Sequence, residues 1–323
     1  MKLHYGFLFF DYLFKFILQL TYVNHSATLR YHTSLTTGYE TLTMLYYNID
    51  FKMKLTLYTG NEVGVLAHII AITNQKGGVG KTTTAVNVSA CLAESGKRTL
   101  LVDLDPQGNA TSGLGVDKAS LETNLYDCLI EGRPMEDVVQ PTMIKKLSLV
   151  PATMDVAGAA VELVTMEDRE YILKKALQAY LGQVKKSYDY VVIDCPPSLG
   201  LLTLNALAAA DFVLIPVQCE FYALEGLAQL MQTVDMVRDN LNSRLQLLGL
   251  LMTMYDGRTN LSIQVTEEVK KYFSGKVFHT IIPRNVRLGE APSHGEPITI
   301  YDPHSRGAEV YTKLAKEVIR RVG

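Results

Sequence analysis

The chain carries almost no excess of either charge: 31 lysines and arginines stand against 33 aspartates and glutamates, a formal net charge of −2. Such a balance excludes global attraction to nucleic acid, so any DNA contact must come from a local basic patch. Its four cysteines, Cys91, Cys128, Cys195 and Cys219, form no CxxC pair. Three of them fall in or beside apolar runs, so buried free thiols in a reducing compartment are expected. An uninterrupted membrane span is also lacking. Residues 3–20 are apolar and aromatic but carry Asp11 and Lys15, and no small-residue cleavage site follows cleanly. Internal repeats are absent, as is any linker long enough to split the region after residue 67.

What is present is a chain with 48% hydrophobic and 20% charged residues, enough for an ample globular core. Apolar runs of strand length occur at 68–73, 99–104, 147–151, 190–194, 212–217, 245–254 and 277–282. Between them lie helical patterns such as Leu173, Ala176, Leu177, Tyr180, Leu181 and Leu227, Leu230, Met231, Val234, Val237. A last helix is expected over 307–321, with Val310, Leu314 and Val318 on one face. Runs apolar on both faces belong in a sheet covered on each side. The pattern predicts one doubly wound α/β domain over 68–323, its sheet mostly parallel with helices on both faces. Ligands in such sheets bind beyond the carboxyl ends of the strands.

One stretch sits at such an end: Asn74-Gln75-Lys76-Gly77-Gly78-Val79-Gly80-Lys81-Thr82-Thr83, between a strand and a helical pattern. Glycines let backbone N–H groups turn inward, the following helix presents its unpaired donors, and Lys81 adds a point charge for the outer phosphates. Thr82 then offers a hydroxyl to Mg²⁺. The usual P-loop pattern asks for glycine where Gln75 stands, and a second lysine, Lys76, precedes Gly77. Asp194 ends the run Tyr190-Val191-Val192-Ile193 in a Walker B arrangement. One carboxylate, Thr82, phosphate oxygens and waters complete the oxygen octahedron that Mg²⁺ requires. Asp105 follows another apolar strand, and Asp103 two residues earlier is expected either to share the magnesium shell or to pair with a lysine.

Lys76-Gly77-Gly78-Val79-Gly80-Lys81-Thr82-Thr83 resembles the deviant Walker A motif of the ParA/MinD ATPases. Residues 101–111, 192–198 and 282–287 narrow the resemblance to the chromosomal ParA (Soj) branch, and it extends from about residue 68 to the C-terminus. The resemblance implies a P-loop fold that hydrolyses ATP with Mg²⁺. It assigns Asp105 to the attacking water, and Asp105 is counted with Thr82 and Asp194 as a metal-site residue. It assigns Lys76 to the partner subunit's nucleotide in an ATP-dependent sandwich homodimer, and Pro283 and Asn285 to the adenine. Arg258 and Arg287 match arginines used for non-specific double-stranded DNA, with Lys270, Lys271 and Lys276 between them. A ParB-type centromere-binding partner, stimulated hydrolysis and a cytoplasmic, nucleoid-associated location follow from the same likeness.

The rival reading is a MinD-like membrane ATPase. It requires a basic amphipathic tail, whereas Val310, Tyr311, Leu314, Val318 and Ile319 are accounted for by packing on the sheet. Iron–sulfur carriers that share the loop need paired cysteines, which are missing. Residues 1–67 fit none of this: Tyr and Phe are dense and neither helical nor strand period persists. Soj-type chains begin a few residues before the first strand. The segment is therefore expected to be an atypical N-terminal extension, disordered or not part of the native protein, whose start then lies near Val65. A signal anchor and an unfamiliar module are the alternatives.

Overall fold

The computed structural model describes residues 67–184, 186–220 and 223–323. Apart from Ala67, which is buried, the expected N-terminal extension lies outside the described residues. The elements run β1 (His68–Ile72), α1 (Lys81–Glu94), β2 (Thr99–Asp103), α2 (Asn109–Ser112), α3 (Leu125–Leu129), β3 (Gln140–Pro141), β4 (Leu147–Val150), α4 (Asp155–Glu162), α5 (Ile172–Gln183), β5 (Tyr190–Asp194), α6 (Leu201–Ala209), β6 (Phe212–Gln218), α7 (Ala223–Asn240), β7 (Gln246–Thr253), α8 (Asn260–Tyr272), α9 (Val286–Glu290), α10 (Ile298–Tyr301) and α11 (Arg306–Val322).

Seven strands form one sheet in the order β3-β4-β2-β5-β1-β6-β7, all pairs parallel except β3 with β4. Successive residues of each central strand face opposite layers, the period-2 pattern of extended chain. Ala71, Leu100, Val102, Val191 and Ile193 join the core under α5, α6 and α7, while Ile70, Ile72, Leu101 and Val192 join the core under α1 and α11. Hydrophobic burial on both faces explains why these runs lack the alternation of a half-wet strand. All four cysteines are buried and free, as their apolar settings imply.

The expected strand over 277–282 does not form. The segment is held against β7 by the isolated bridge of Leu250 with Val277 and by the amides of Phe278 and Ile282, which donate to Leu250 O and Met252 O at 2.9 Å each, but these contacts do not join into a ladder. Its amides explain why: those of His279 and Thr280 donate to Glu317 on α11, at 2.8 and 3.0 Å, instead of to a strand. The Thr280 hydroxyl adds a third bond at 2.8 Å. Arg321 closes the cluster from the same helix, donating to Glu317 at 2.9 Å, to Leu248 O at 3.0 Å and to Val277 O at 2.7 Å. Its guanidinium lies 4.0 Å from the Phe278 ring centroid. Gly249 makes this approach possible, since a Cβ there would stand 2.7 Å from Arg321 and 2.8 Å from the Phe278 ring. The other missed strand, β3, is two residues long and contains Pro141, too short and too polar to give an apolar run.

Glu317 thus ties the C-terminal helix to the strand edge as a buried carboxylate. Burial pushes its carboxyl up, but the bonds from His279, Thr280 and Arg321 outweigh that and hold it below its ordinary value. Glu317→Gln puts an amide donor among these donors and is expected to cost about 3–5 kcal/mol at pH 7. A depressed folded-state pKa contributes stability that is present above the ordinary carboxylate value of about 4.3 and is lost as pH falls through the folded value. Thermal melts of both proteins should therefore differ widely at neutral pH and converge in acid.

Candidate active site

Strand order builds the site. β5 lies between β1 and β2, with Asp194 in register with both Ile72 and Asp103. Three chain segments remote in sequence therefore end side by side: the glycine loop after β1, the Asp103–Asp105 turn after β2, and Asp194.

The loop is anchored from its flanks. Asn74, itself buried, donates to Pro216 O on β6 at 2.7 Å and accepts from Lys76 N at 3.0 Å. Gln75 donates to Gly226 O at 3.2 Å and to Gln229 at 2.9 Å, both on α7. Gly226 is where the Lys76 stem passes, for a Cβ there would meet Lys76 Cε at 3.1 Å. Gly78 and Gly80 take left-handed conformations, φ 73° and 87°. Among the described residues, apart from their chain neighbours, no heavy atom lies within 4 Å of a Cβ placed on Gly77 or Gly78, so the loop is open around these two glycines. At the start of α1 no side chain caps the helix and no acidic residue stands in the first turn, which leaves the N-terminal donors to an outside anion. Lys81 is buried and donates to Lys76 O at 2.8 Å. Burial lowers its pKa, while Asp194, Cys195 and Asp105 pull it back up.

Asp194 is fully buried, and neither of its oxygens accepts a hydrogen bond of good geometry. Burial and then Asp103 push its pKa well up; the Thr82 side chain and Lys81 offset part of the rise. An orphaned buried carboxylate is costly, and here it stands beside a hydroxyl and a lysine at the foot of an open loop. That donor set is hard oxygen, and it fits a divalent cation with phosphate oxygens on its other side.

Asp103 is met by donors of its own turn and of α2 rather than by a lysine. Its Oδ2 accepts from Thr111 N at 2.8 Å and from Thr111 Oγ1 at 2.7 Å, and its Oδ1 accepts from Asp105 N at 3.3 Å. Burial nonetheless raises its pKa to about 7, with Asp105 adding to the rise. Its work is to hold the turn that carries Asp105. The same turn needs Gly108, φ 59°, where a Cβ would strike Ala152 O at 2.5 Å. Asp105 accepts from Gln107 N at 3.0 Å and is nearly buried at the open edge.

The remaining predicted residues lie beyond the loop. Asn285 caps α9, accepting from Arg287 N at 2.8 Å, and Pro283 forms the isolated bridge with Tyr255. Arg258 is 89% exposed and paired with Asp256 at 2.7 Å, while Arg287 reaches Glu290 at 2.9 Å and Asp302 at 3.5 Å. Gln229, Gly226 and Thr253 support the site without any sequence signal, because each acts through a contact far along the chain, whereas Thr111 lies within the stretch 101–111 and meets Asp103 eight residues away.

Comparison with known proteins agrees with this geometry. The AAA domain family matches residues 67–247. The chain is 63% identical over 253 residues to the sporulation initiation inhibitor protein Soj of Bacillus subtilis, covering 78% of this chain and 98% of that protein. It is 54% identical over 256 residues to the chromosome partitioning protein ParA of Myxococcus xanthus, covering 79% and 89%. Among solved structures, a Mycobacterium smegmatis protein described as cobyrinic acid a,c-diamide synthase, with bound ADP and magnesium, aligns at TM-score 0.69 and 39% identity over 79% of this chain and 95% of that one. The septum site-determining protein MinD of Pyrococcus horikoshii, complexed with Mg-ADP, aligns at TM-score 0.67 and 27% identity over 80% and 98%. With its phosphate loop, its orphaned Asp194 and relatives that match nearly end to end, the chain belongs to the ParA/MinD family of P-loop ATPases, on the branch of the Soj and ParA chromosome-partitioning proteins.

Proposed function

We propose that this protein is a DNA-partitioning ATPase that hydrolyses ATP with Mg²⁺, dimerises around the nucleotide and in that form holds DNA without sequence preference. The observation that carries the reading is Asp194, fully buried beside Lys81 and Thr82 with no hydrogen bond of good geometry to either oxygen among the described residues. Backbone donors of the loop and the α1 N-terminus bind the phosphates, and Lys81 balances their outer charge. Thr82 and Asp194 hold the magnesium ion, whose contribution is to neutralise charge on the phosphate oxygens. Asp105 orients the attacking water and accepts its proton at the edge of the loop. Lys76 reaches the partner subunit's nucleotide, so that a shared polyanion relieves the repulsion between two lysines in one turn.

For DNA, Arg258 and Arg287 supply phosphate contacts, which carry no base information. A ParB-type protein stimulates hydrolysis, and nucleoid association follows from the DNA contacts. The membrane alternative is not favoured: Val310, Tyr311, Leu314 and Val318 of α11 are buried in the core, and no helix among the described residues is long and apolar enough to cross a membrane.

Two substitutions separate binding from turnover. Lys81→Ala should abolish measurable ATP binding, whereas Asp105→Ala should keep binding and lower turnover by about 10²–10⁴-fold. With saturating ATP and magnesium, Asp105→Ala should run as a dimer by light scattering; a monomer there would end the sandwich-dimer reading. Changing Arg258 and Arg287 to Glu should weaken DNA retention equally for all sequences and lower the salt slope by about 1 per lost phosphate contact. Sequence-selective loss in co-sedimentation would contradict non-specific binding.

A further inference from the structure

Thr253 closes β7 and is buried, yet its hydroxyl reaches the phosphate loop, donating to Val79 O at 2.9 Å across 174 residues of sequence. Val79 sits between the two left-handed glycines, Gly78 and Gly80, the most permissive part of the loop. In a trans peptide the C=O and the next N–H point in opposite directions. Fixing Val79 O from the sheet side therefore fixes where the Gly80 N–H points. The Thr253 methyl lies next to Gly80, 4.0 Å from where a Cβ would stand.

The other end of Thr253 is also constrained. Cys219 N donates to its carbonyl at 3.3 Å, and the next residue, Met254, holds a left-handed backbone at φ 50° that non-glycine residues rarely take. Tyr255 is then tied on both sides, its N–H to Ile282 O at 3.1 Å and its carbonyl to Arg284 N at 3.1 Å. Immediately after comes Asp256, whose carboxylate accepts from the Arg258 backbone at 3.1 Å and from its guanidinium at 2.7 Å. A strained residue thus lies between an anchor on the phosphate loop and the turn that carries Arg258.

We propose that Thr253 is a positioning residue for the phosphate loop, and that through Met254 it couples nucleotide occupancy to the conformation of the Arg258 turn. The first half rests on the nucleotide site proposed above; neither half depends on DNA binding. Any shift of the Val79 peptide on nucleotide binding is felt at Thr253. The strained Met254 backbone then gains or loses its restraint, and coupling of this kind is reciprocal for binding free energies.

The test uses the full chain with Thr253→Val, which keeps shape and loses the hydroxyl, and Thr253→Ser, which keeps the hydroxyl. Affinities for fluorescent ADP and for a non-hydrolysable ATP analogue are measured with hydrogen exchange over residues 254–260. Leaving Val79 O without its donor should weaken both nucleotides by about tenfold in Thr253→Val, with Thr253→Ser within about twofold of wild type. Nucleotide should change exchange over 254–260 in wild type and Thr253→Ser but not in Thr253→Val. Unchanged affinity in Thr253→Val overturns the positioning role. An exchange change that persists in Thr253→Val, or is missing in wild type, overturns the coupling. If Val is not tolerated, Thr253→Ala makes the same comparison, judged against melting temperature so that general loosening is seen separately. Failure of wild type to bind either nucleotide would instead count against the ATPase site itself.

Discussion

The structure depends on a corner where charge is buried without enough of its own partners. Asp103, Asp105 and Asp194 gather there, and among the described residues Lys81 is the sole lysine or arginine classed as buried. Like charges in a low-dielectric setting raise one another's pKa, which is what burial and proximity do to Asp103 and Asp194. Thr111 satisfies Asp103 from within. Asp194 has no donor of good geometry among the described residues, only the nearby Thr82 side chain and Lys81. The fold therefore carries an unsatisfied carboxylate beside an uncapped helix end, an arrangement that a cation and a polyanion complete together and neither completes alone.

Sheet topology is what makes such a corner affordable to a stable protein. Strands β2 and β5 are buried along their whole length and β1 over its carboxyl-terminal half, and their carboxyl ends coincide because β5 is the central neighbour of the other two. Apolar burial on both faces of these strands provides the free energy against which a few unsatisfied polar atoms are tolerated. Helix α1 extends this logic: it is buried on most sides, between the sheet and α11, so its N-terminus cannot drift from the loop. Contacts such as Thr84 to Tyr311 at 3.3 Å and Ile298 N to Asn87 at 2.7 Å fix it from the C-terminal segment.

Much of this was readable in the sequence because the signals are local. The glycine loop, the aspartates at strand ends and the two-faced apolar runs each depend on a few adjacent residues, and the sheet, its helices and the loop–Asp194 pairing follow from them. What escaped reading depends on distant partners. The run at 277–282 has strand composition, but Glu317 takes two of its amides, and no local pattern announces that. Asp103 reads as a partner for a lysine until the Thr111 amide and hydroxyl are placed against its carboxylate. Gly226 inside α7 carries a helix-propensity cost of about 1 kcal/mol with no visible reason until Lys76 is found lying over it. The hydroxyl of Thr253 is invisible for the same reason.

The arginines show how a nearly neutral chain can still suit a polyanion. Arg258 and Arg287 are each held by their own carboxylates, so the isolated chain presents masked rather than bare positive charge. Exposed pairs of this kind are worth about 0–1 kcal/mol, so a phosphate displaces the carboxylate at little cost. Equally, one chain gains little from the exchange. In the proposed dimer, two such surfaces bind one polyanion together, and the second set of contacts becomes intramolecular, raising affinity without any new contact type. Under the function proposed above, weak, self-masked arginines would serve better than strong ones: they would leave a single chain unattached and make retention depend on the nucleotide that joins the pair.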